Sequence, residues 1–212
     1  MIPDPPAIGV FVLAALALLL VPGPAVLYVV ARSIEHGRRA GVVSVLGIHV
    51  GTLVHIAAAT LGLSALVLSS AVAFTAVKIA GAVYLIGLGI WTLLSKHPET
   101  EIPLGGERNL RRAFAQGIVV NVLNPKTALF FLAFLPQFVD PNAEHPAVQI
   151  AFLGVLFALL GLITDSIWAV AAGTAGGMLR RSRRFVRTQR YVTGTVYVGL
   201  GVLTAFAGGA ED

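Results

Sequence analysis

The chain contains no cysteine, which excludes disulfide bonds, thiolate metal sites, iron–sulfur clusters and thiol redox chemistry. It also has few charges, because Asp, Glu, Lys and Arg make up only 12% of the sequence, against about 25% in soluble domains. Hydrophobic residues account for 57%. Apolar runs of roughly 18 residues or more, long enough to cross hydrocarbon, recur along the chain. We therefore predict an all-α integral membrane protein, since β-barrel strands would alternate over about ten residues.

Six transmembrane helices follow from the apolar runs. We predict spans over residues 7–31, 40–68, 72–95, 112–139, 148–178 and 191–207. The N-terminal run is too long, and too poor in positive charge, for a signal peptide, so we expect it to be retained as the first span. The chain then forms one transmembrane domain over 1–212, with three-helix repeats over 7–95 and 112–207 and a polar loop over 96–111.

The positive charges predict how these spans cross the membrane. Lys and Arg are confined almost entirely to the first, third and fifth loops: Arg32, Arg38, Arg39, Lys96, Arg108, Arg111, Arg112, Arg180, Arg181, Arg183, Arg184, Arg187 and Arg190. Because loops rich in Lys and Arg stay in the cytoplasm, we expect both termini on the outer, periplasmic side. This placement also accounts for the net charge of +5 without invoking nucleic acid as a partner.

Each predicted repeat begins with a span that proline interrupts near its middle. The first contains Pro22, Gly23 and Pro24, and the fourth contains Asn124 and Pro125. Proline lacks a backbone N–H and clashes with the carbonyl four residues earlier, so Pro22 and Pro24 should free the carbonyls of Leu18 and Leu20. Three spans per half place the halves in opposite orientations. Paired broken helices at matching positions are typical of inverted-repeat transporters and their binding sites.

Polar groups gather at the second break. Asn121, Asn124 and Lys126 lie there, at a depth where polar side chains indicate function. Asp165, the only acidic residue inside a span, falls near the same level when the rise of 1.5 Å per residue is counted from the opposite face. We predict that Lys126 and Asp165 form a pair, which either fixes the packing or titrates as substrate and protons pass.

The second span carries two histidines and a face of small residues. His55 falls near the level of Lys126 and is a candidate for proton coupling, whereas His49 lies nearer the cytoplasm. The histidines are six residues apart, which does not place them on one helix face, so no metal site is assigned. Glycines at helical spacing predict close helix packing and permit a homodimer: Gly47, Gly51, Gly81, Gly173 and Gly177.

Four stretches of the sequence resemble the LysE/RhtB family of bacterial amino-acid exporters. They are residues 21–41, with Val-Pro-Gly-Pro at the first break; 47–55, with the glycines and His55; 78–89, from Lys78 through Gly81 and Tyr84; and 114–138, with Asn-Pro-Lys at the second break. Together they cover the first four spans. The last two spans agree mainly in length, charge pattern and the acidic residue at mid-span.

The resemblance implies export of amino acids or small derivatives across the bacterial inner membrane, driven by proton antiport. We expect the exporter to work by alternating access. It also implies that the two broken helices line the substrate path, with Pro22, Gly23, Pro24, Asn121, Asn124, Pro125, Lys126 and Asp165 as site residues. Other members of the superfamily use cysteine pairs to move electrons, which the absence of cysteine excludes here.

Two alternatives remain open from the residues. One is a metal or ion transporter that uses His55 and Asp165, and the other is a non-transporting membrane scaffold packed through its glycines. An enzyme is not expected, because the sequence offers no nucleophile–base–acid set. No cofactor is expected either: the glycines lack the strand and the Gly-Lys-Ser/Thr sequence of a phosphate loop.

Overall fold

A computed structural model of the chain describes residues 3–70, 109–140 and 142–175, with isolated helical positions between 72 and 94 and between 191 and 202. The predicted third and sixth spans are therefore outside the continuously described residues, as are Gly81, Gly177 and Lys78. The predicted layout of six helices in two repeats is consequently tested for four of its spans.

Every continuously described element is helical, as predicted. The helices are α1 (Pro5–Leu20), α2 (Pro24–His36), α3 (Arg38–Ser69), α4 (Leu110–Val122), α5 (Pro125–Leu129) and α6 (Pro146–Ala175). Helix α5 continues into a π-helical turn, Phe130–Phe134, and a 3-10 turn, Leu135–Phe138. Turns of π-helix are rare and occur frequently at functional sites.

Helices α3 and α6 are each long and apolar enough to cross a membrane, with mean hydropathies of 1.9 and 2.4 over their spanning stretches. Two further helix pairs meet the same test of length and hydropathy when each pair is taken together, but they are bent. Helices α1 and α2 meet at 50°, and α4 meets the segment Pro125–Phe138 at 45°. The described residues thus contain two continuous spans, or four if each bent pair is counted as one span, and both breaks lie where the prolines predict them.

The geometry of the breaks follows from the proline positions. Pro24 and Pro125 are the first residues of α2 and α5, where a missing N–H removes no helical hydrogen bond. The residues before them, Gly23 and Asn124, have extended backbones, because a residue that precedes proline is displaced from the helical region. Each break therefore ends one helix and begins another within about three residues.

Helix α3 packs against α2, α4 and α6, and α1 packs along α6. The predicted glycine packing is present in two of these contacts. A Cβ on Gly47 would collide with the carbonyl of Phe114 in α4, and a Cβ on Gly173 would lie 2.5 Å from Cγ of Arg38. Gly51 similarly faces Asn121, at 2.9 Å from its Cβ. These glycines are used within the chain, and the homodimer stays a prediction.

Candidate functional site

A cavity of about 40 Å³ lies where the two breaks meet the middles of α3 and α6. Its walls are formed by the ends of α1 and α4, the starts of α2 and α5, and one face each of the two continuous helices. Apolar side chains such as Leu18, Ile48 and Phe157 make up part of the lining, and seven polar residues complete it: His49, Thr52, Asn121, Asn124, Lys126, Thr127 and Asp165.

Lys126 crosses from one broken helix to the other. Its ammonium donates a hydrogen bond to the carbonyl oxygen of Val21, immediately before the Pro-Gly-Pro sequence. Gly23 makes this approach feasible, because a Cβ there would lie 2.8 Å from Cδ of Lys126. The lysine is 8% exposed and lines the cavity. One cation thus joins the two breaks.

Asp165 lies on the α6 wall of the same cavity and is 5% exposed. Lys126 lines this cavity too, so the structure brings together the two residues that were predicted to pair from their depth in the membrane. A buried carboxylate inside a membrane span that lines a cavity is suited to contact a ligand or a proton.

Asn121 joins the second break to α3 through hydrogen bonds, and these bonds occupy its side-chain polar atoms. Its amide nitrogen donates to the Ile48 carbonyl at 2.8 Å and to the Thr52 hydroxyl at 2.9 Å. Its oxygen accepts from Thr127 and from Asn124, at 3.0 and 3.3 Å. All four bonding positions of the amide are therefore occupied, which favours a structural role for this residue.

Asn124 caps the short helix that follows it. Its side-chain oxygen accepts the backbone N–H of Lys126 at 3.1 Å, and its amide nitrogen donates to Thr127 at 3.0 Å. An asparagine at this position satisfies a donor that the helix start leaves unpaired. The cap fixes the direction in which α5 leaves the break, and with it the position of Lys126.

His55, the sequence candidate for proton coupling, is bonded outside the cavity. Its Nε2 lies 2.9 Å from the Asn121 carbonyl, the carbonyl that Pro125 frees by its position four residues later. The ring stacks on Phe131, with centroids 6.0 Å apart. His49 is the histidine that lines the cavity instead, because six residues along a helix turn the side chain to another face.

The carbonyls at the first break differ partly from expectation. The carbonyl of Leu18, which we expected Pro22 to free, accepts the backbone N–H of Val21 at 3.2 Å. That bond tightens the last turn of α1, as is common at helix ends. The acceptor that the break offers to another helix is the Val21 carbonyl, which Lys126 occupies.

On the side of the cavity toward Arg38 and Leu110, α2 and α4 meet through polar side chains. The Tyr28 hydroxyl donates to the Ala113 carbonyl at 2.8 Å, and the Arg32 guanidinium donates to the side-chain oxygen of Gln116. Glu35 lies 3.9 Å from the same guanidinium. We call these four side chains, Tyr28, Arg32, Glu35 and Gln116, the polar group.

On the opposite side, phenyl rings fill the space between α1, the π-helical turn and α6. The ring centroids of Phe130 and Phe157 are 4.0 Å apart, and those of Phe11 and Phe138 are 5.3 Å apart. We call these rings the aromatic cluster: Phe11, Phe130, Phe131, Phe134, Phe138 and Phe157. The cavity thus lies between a polar and an aromatic layer.

No cluster of three or more metal-ligating His, Asp or Glu side chains occurs among the described residues. His55 and Asp165, which the metal-transport alternative required together, are also separated, since only Asp165 lines the cavity. The described histidines therefore give that alternative no support from geometry.

Broken helices that meet at a buried, charged cavity are typical of secondary transporters. The profile of the LysE type translocator family matches residues 16–208, so the chain belongs to this family, as the sequence motifs indicated.

The relatives of the chain are membrane proteins of similar length. An uncharacterized membrane protein of Vibrio cholerae is 29% identical over 203 residues, which cover 93% of this chain and 95% of the relative. The Bacillus subtilis membrane protein YrhP is 27% identical and is matched over 95% of its length. A leucine efflux protein of an Enterobacter strain is 26% identical over 198 residues, or 92% and 93% of the two chains. No solved structure shows a significant match.

Proposed function

We propose that the protein exports amino acids from the cytoplasm through the cavity at the two breaks. The observation that carries the proposal is the pair of opposite charges, Lys126 and Asp165, buried on the walls of one cavity between two broken helices. An amino acid is a zwitterion and supplies the complementary pair. The family, and a relative named as a leucine efflux protein, support this class of substrate.

In this mechanism Lys126 binds the substrate carboxylate. The uncapped start of α2, whose Gly23 has no side-chain cap, adds first-turn N–H groups to the same wall. The bond from Lys126 to the Val21 carbonyl is then exchanged for one to the substrate. Asn121 keeps its structural bonds and serves to hold the break in shape.

Alternating access is supported by the size of the cavity and by what surrounds it. About 40 Å³ accommodates about three water molecules, so an amino acid requires the helices to separate. The polar group and the aromatic cluster are the two barriers that would open in turn. Proton antiport follows if Asp165 exchanges a proton for the substrate. The distribution of Lys and Arg supports an orientation with both termini outside, and the family supports a location in the bacterial inner membrane.

Transport in everted vesicles from an exporter-deficient bacterium tests the proposal, with radiolabelled leucine as the first probe of an amino-acid panel. We expect Lys126→Met and Asp165→Asn each to lower pH-gradient-driven uptake tenfold or more. Lys126→Arg keeps the positive charge and should retain part of the uptake. The control is Asp4→Asn, at an exposed position before α1.

Either single variant leaves a buried charge without its counterpart and destabilises the protein. The double variant, Lys126→Met with Asp165→Asn, separates folding from function, because it removes both charges. We expect it to fold at normal levels and to transport nothing. Full proton-coupled uptake by both folded single variants would show that the mechanism is wrong. Transport of metal ions without any amino acid would favour the ion-transporter alternative, and unchanged solute levels would favour the scaffold.

A further inference from the structure

His49 lies on the cavity wall formed by α3, and the mechanism so far does not use it. Its Nδ1 is 2.9 Å from the carbonyl oxygen of Val45, one turn earlier in the helix. A carbonyl oxygen only accepts hydrogen bonds, so this pair is bonded in the neutral tautomer that carries its hydrogen on Nδ1. In that tautomer the ring presents Nε2, on its far side, as an acceptor.

The far side of the ring faces α6. A Cβ built on Gly161 would lie 3.1 Å from Nε2 of His49, so glycine leaves the ring nitrogen room to approach the helix. Ala158, three residues before Gly161, lines the same cavity. Its backbone carbonyl accepts a hydrogen bond from the ring only when Nε2 carries a hydrogen, so beside the Nδ1–H tautomer the two groups are both acceptors. Asp165 lies four residues after Gly161, on the same helix face. The wall that His49 and α6 form is thus built from acceptors.

Acceptors that face one another in a buried space are unfavourable unless a donor lies between them. A primary ammonium group carries three N–H donors and a positive charge, which matches one ring nitrogen, one carbonyl oxygen and one carboxylate. We propose that His49, the Ala158 carbonyl and Asp165 form the subsite for the primary ammonium group of the transported amino acid.

This inference rests on the proposed function and adds the orientation of the substrate. Lys126 is held toward the α1–α2 break by the Val21 carbonyl, while Asp165 and His49 belong to the continuous helices. The substrate carboxylate therefore points toward the breaks and its ammonium toward α6. A carboxylic acid that lacks the amino group leaves the acceptors of the subsite without their donor.

Leucine exchange in proteoliposomes at equal pH on both sides measures the subsite without any proton gradient. Unlabelled leucine and 4-methylpentanoate, which is leucine without its amino group, compete against radiolabelled leucine. The ratio of their inhibition constants reports recognition of the ammonium. We expect His49→Leu to lower this ratio about tenfold or more, the size of a lost hydrogen bond to a charged group.

Two conservative variants keep the test decisive if His49→Leu folds poorly. The side chain of His49→Gln reaches the Nε2 position with an acceptor and should retain most of the ratio. That of His49→Asn reaches only the Nδ1 position and should lose it. His145→Leu, the same substitution at an exposed loop position, serves as the matched control and should leave the ratio unchanged.

A purely structural role of His49 weakens the competition by both compounds equally, and an unchanged ratio in His49→Leu or His49→Asn would overturn the inference. Failure of the proposed function itself is visible earlier, in the wild-type protein. If the wild type exchanges neither leucine nor any other amino acid of the panel, both the proposed function and the proposed subsite are wrong.

Discussion

The two layers that enclose the cavity are built from different chemistry. In the polar group, helices α2 and α4 are joined by hydrogen bonds from Tyr28 and Arg32, and glycines bring the neighbouring backbones into contact. In the aromatic cluster, the helices are joined by packed rings around Phe130. Water or a charged solute can replace a hydrogen bond, whereas packed rings have to be moved aside. We infer that the polar layer opens more readily and that the aromatic layer carries more of the packing energy.

The largest expected effect is in the aromatic layer. Phe130→Ala removes a ring that is 1% exposed and contacts four other phenyl rings. We expect the free energy of unfolding, measured by denaturant titration in mixed micelles, to fall by about 3–5 kcal/mol. Leu132→Ala is the control, because Leu132 lies in the same turn but is 52% exposed. A similar loss in both variants would contradict the assignment of packing energy to the rings.

Backbone contact in the polar layer gives the next effect. Gly47→Ala places a methyl group against the Phe114 carbonyl of α4, and overpacking of this kind costs about 1–3 kcal/mol. Gly62→Ala, on the same helix, meets nothing within 4 Å and should be neutral or slightly stabilising. The same titration compares the two. Equal stabilities would mean that α3 and α4 do not need to approach so closely.

The smallest of the three effects is expected from the loss of one glutamine side chain in each layer. Gln116→Leu removes the acceptor of the hydrogen bond from Arg32 Nη2, while Nη1 keeps its contacts with His36 and Glu35. We expect a loss of about 1–2 kcal/mol. Gln137→Leu makes the same change beside the aromatic cluster. This variant removes the bond from the Gln137 amide nitrogen to the Ala133 carbonyl, at 3.2 Å, but it also removes a side-chain oxygen that is buried with no partner among the described residues. Because these two effects oppose each other, the variant should be close to neutral. If Gln137→Leu were less stable than Gln116→Leu, the proposed difference between the two layers would be wrong.

Local sequence rules predicted the breaks and much of their surroundings. Proline fixes where a helix begins, so the starts of α2 and α5 could be read from Pro24 and Pro125. Counting the rise per residue placed Lys126 and Asp165 at one depth, and the structure places them in one cavity. Glycine spacing predicted that α3 packs closely on a neighbour, which the structure shows to be α4. Each of these predictions depends only on position along a helix.

What the sequence did not predict depends on rotation and on distant partners. Depth selected His55 over His49, but the face of α3 toward the cavity is set by how it packs on α4 and α6. The amide of Asn121 appeared available until its bonds to α3 were known. The aromatic cluster was missed because phenylalanine in an apolar run fits a lipid-facing surface equally well. The contact of Arg32 with Gln116 joins residues 84 positions apart.

The central claim is that the cavity between the two layers opens to each side of the membrane in turn. The chain has no cysteine, so a single Val26→Cys variant carries one thiol on the cavity wall. Its labelling by a charged, membrane-impermeant thiol reagent can be measured from each side in oriented vesicles. Leu53→Cys, on an exposed apolar face of α3, is the control and should stay unlabelled in lipid.

The account predicts that Val26→Cys is labelled from either side and that saturating leucine, or another amino acid that the wild type transports, slows the labelling from both. Labelling from one side only, from neither side, or at a rate that no transported amino acid changes would contradict it.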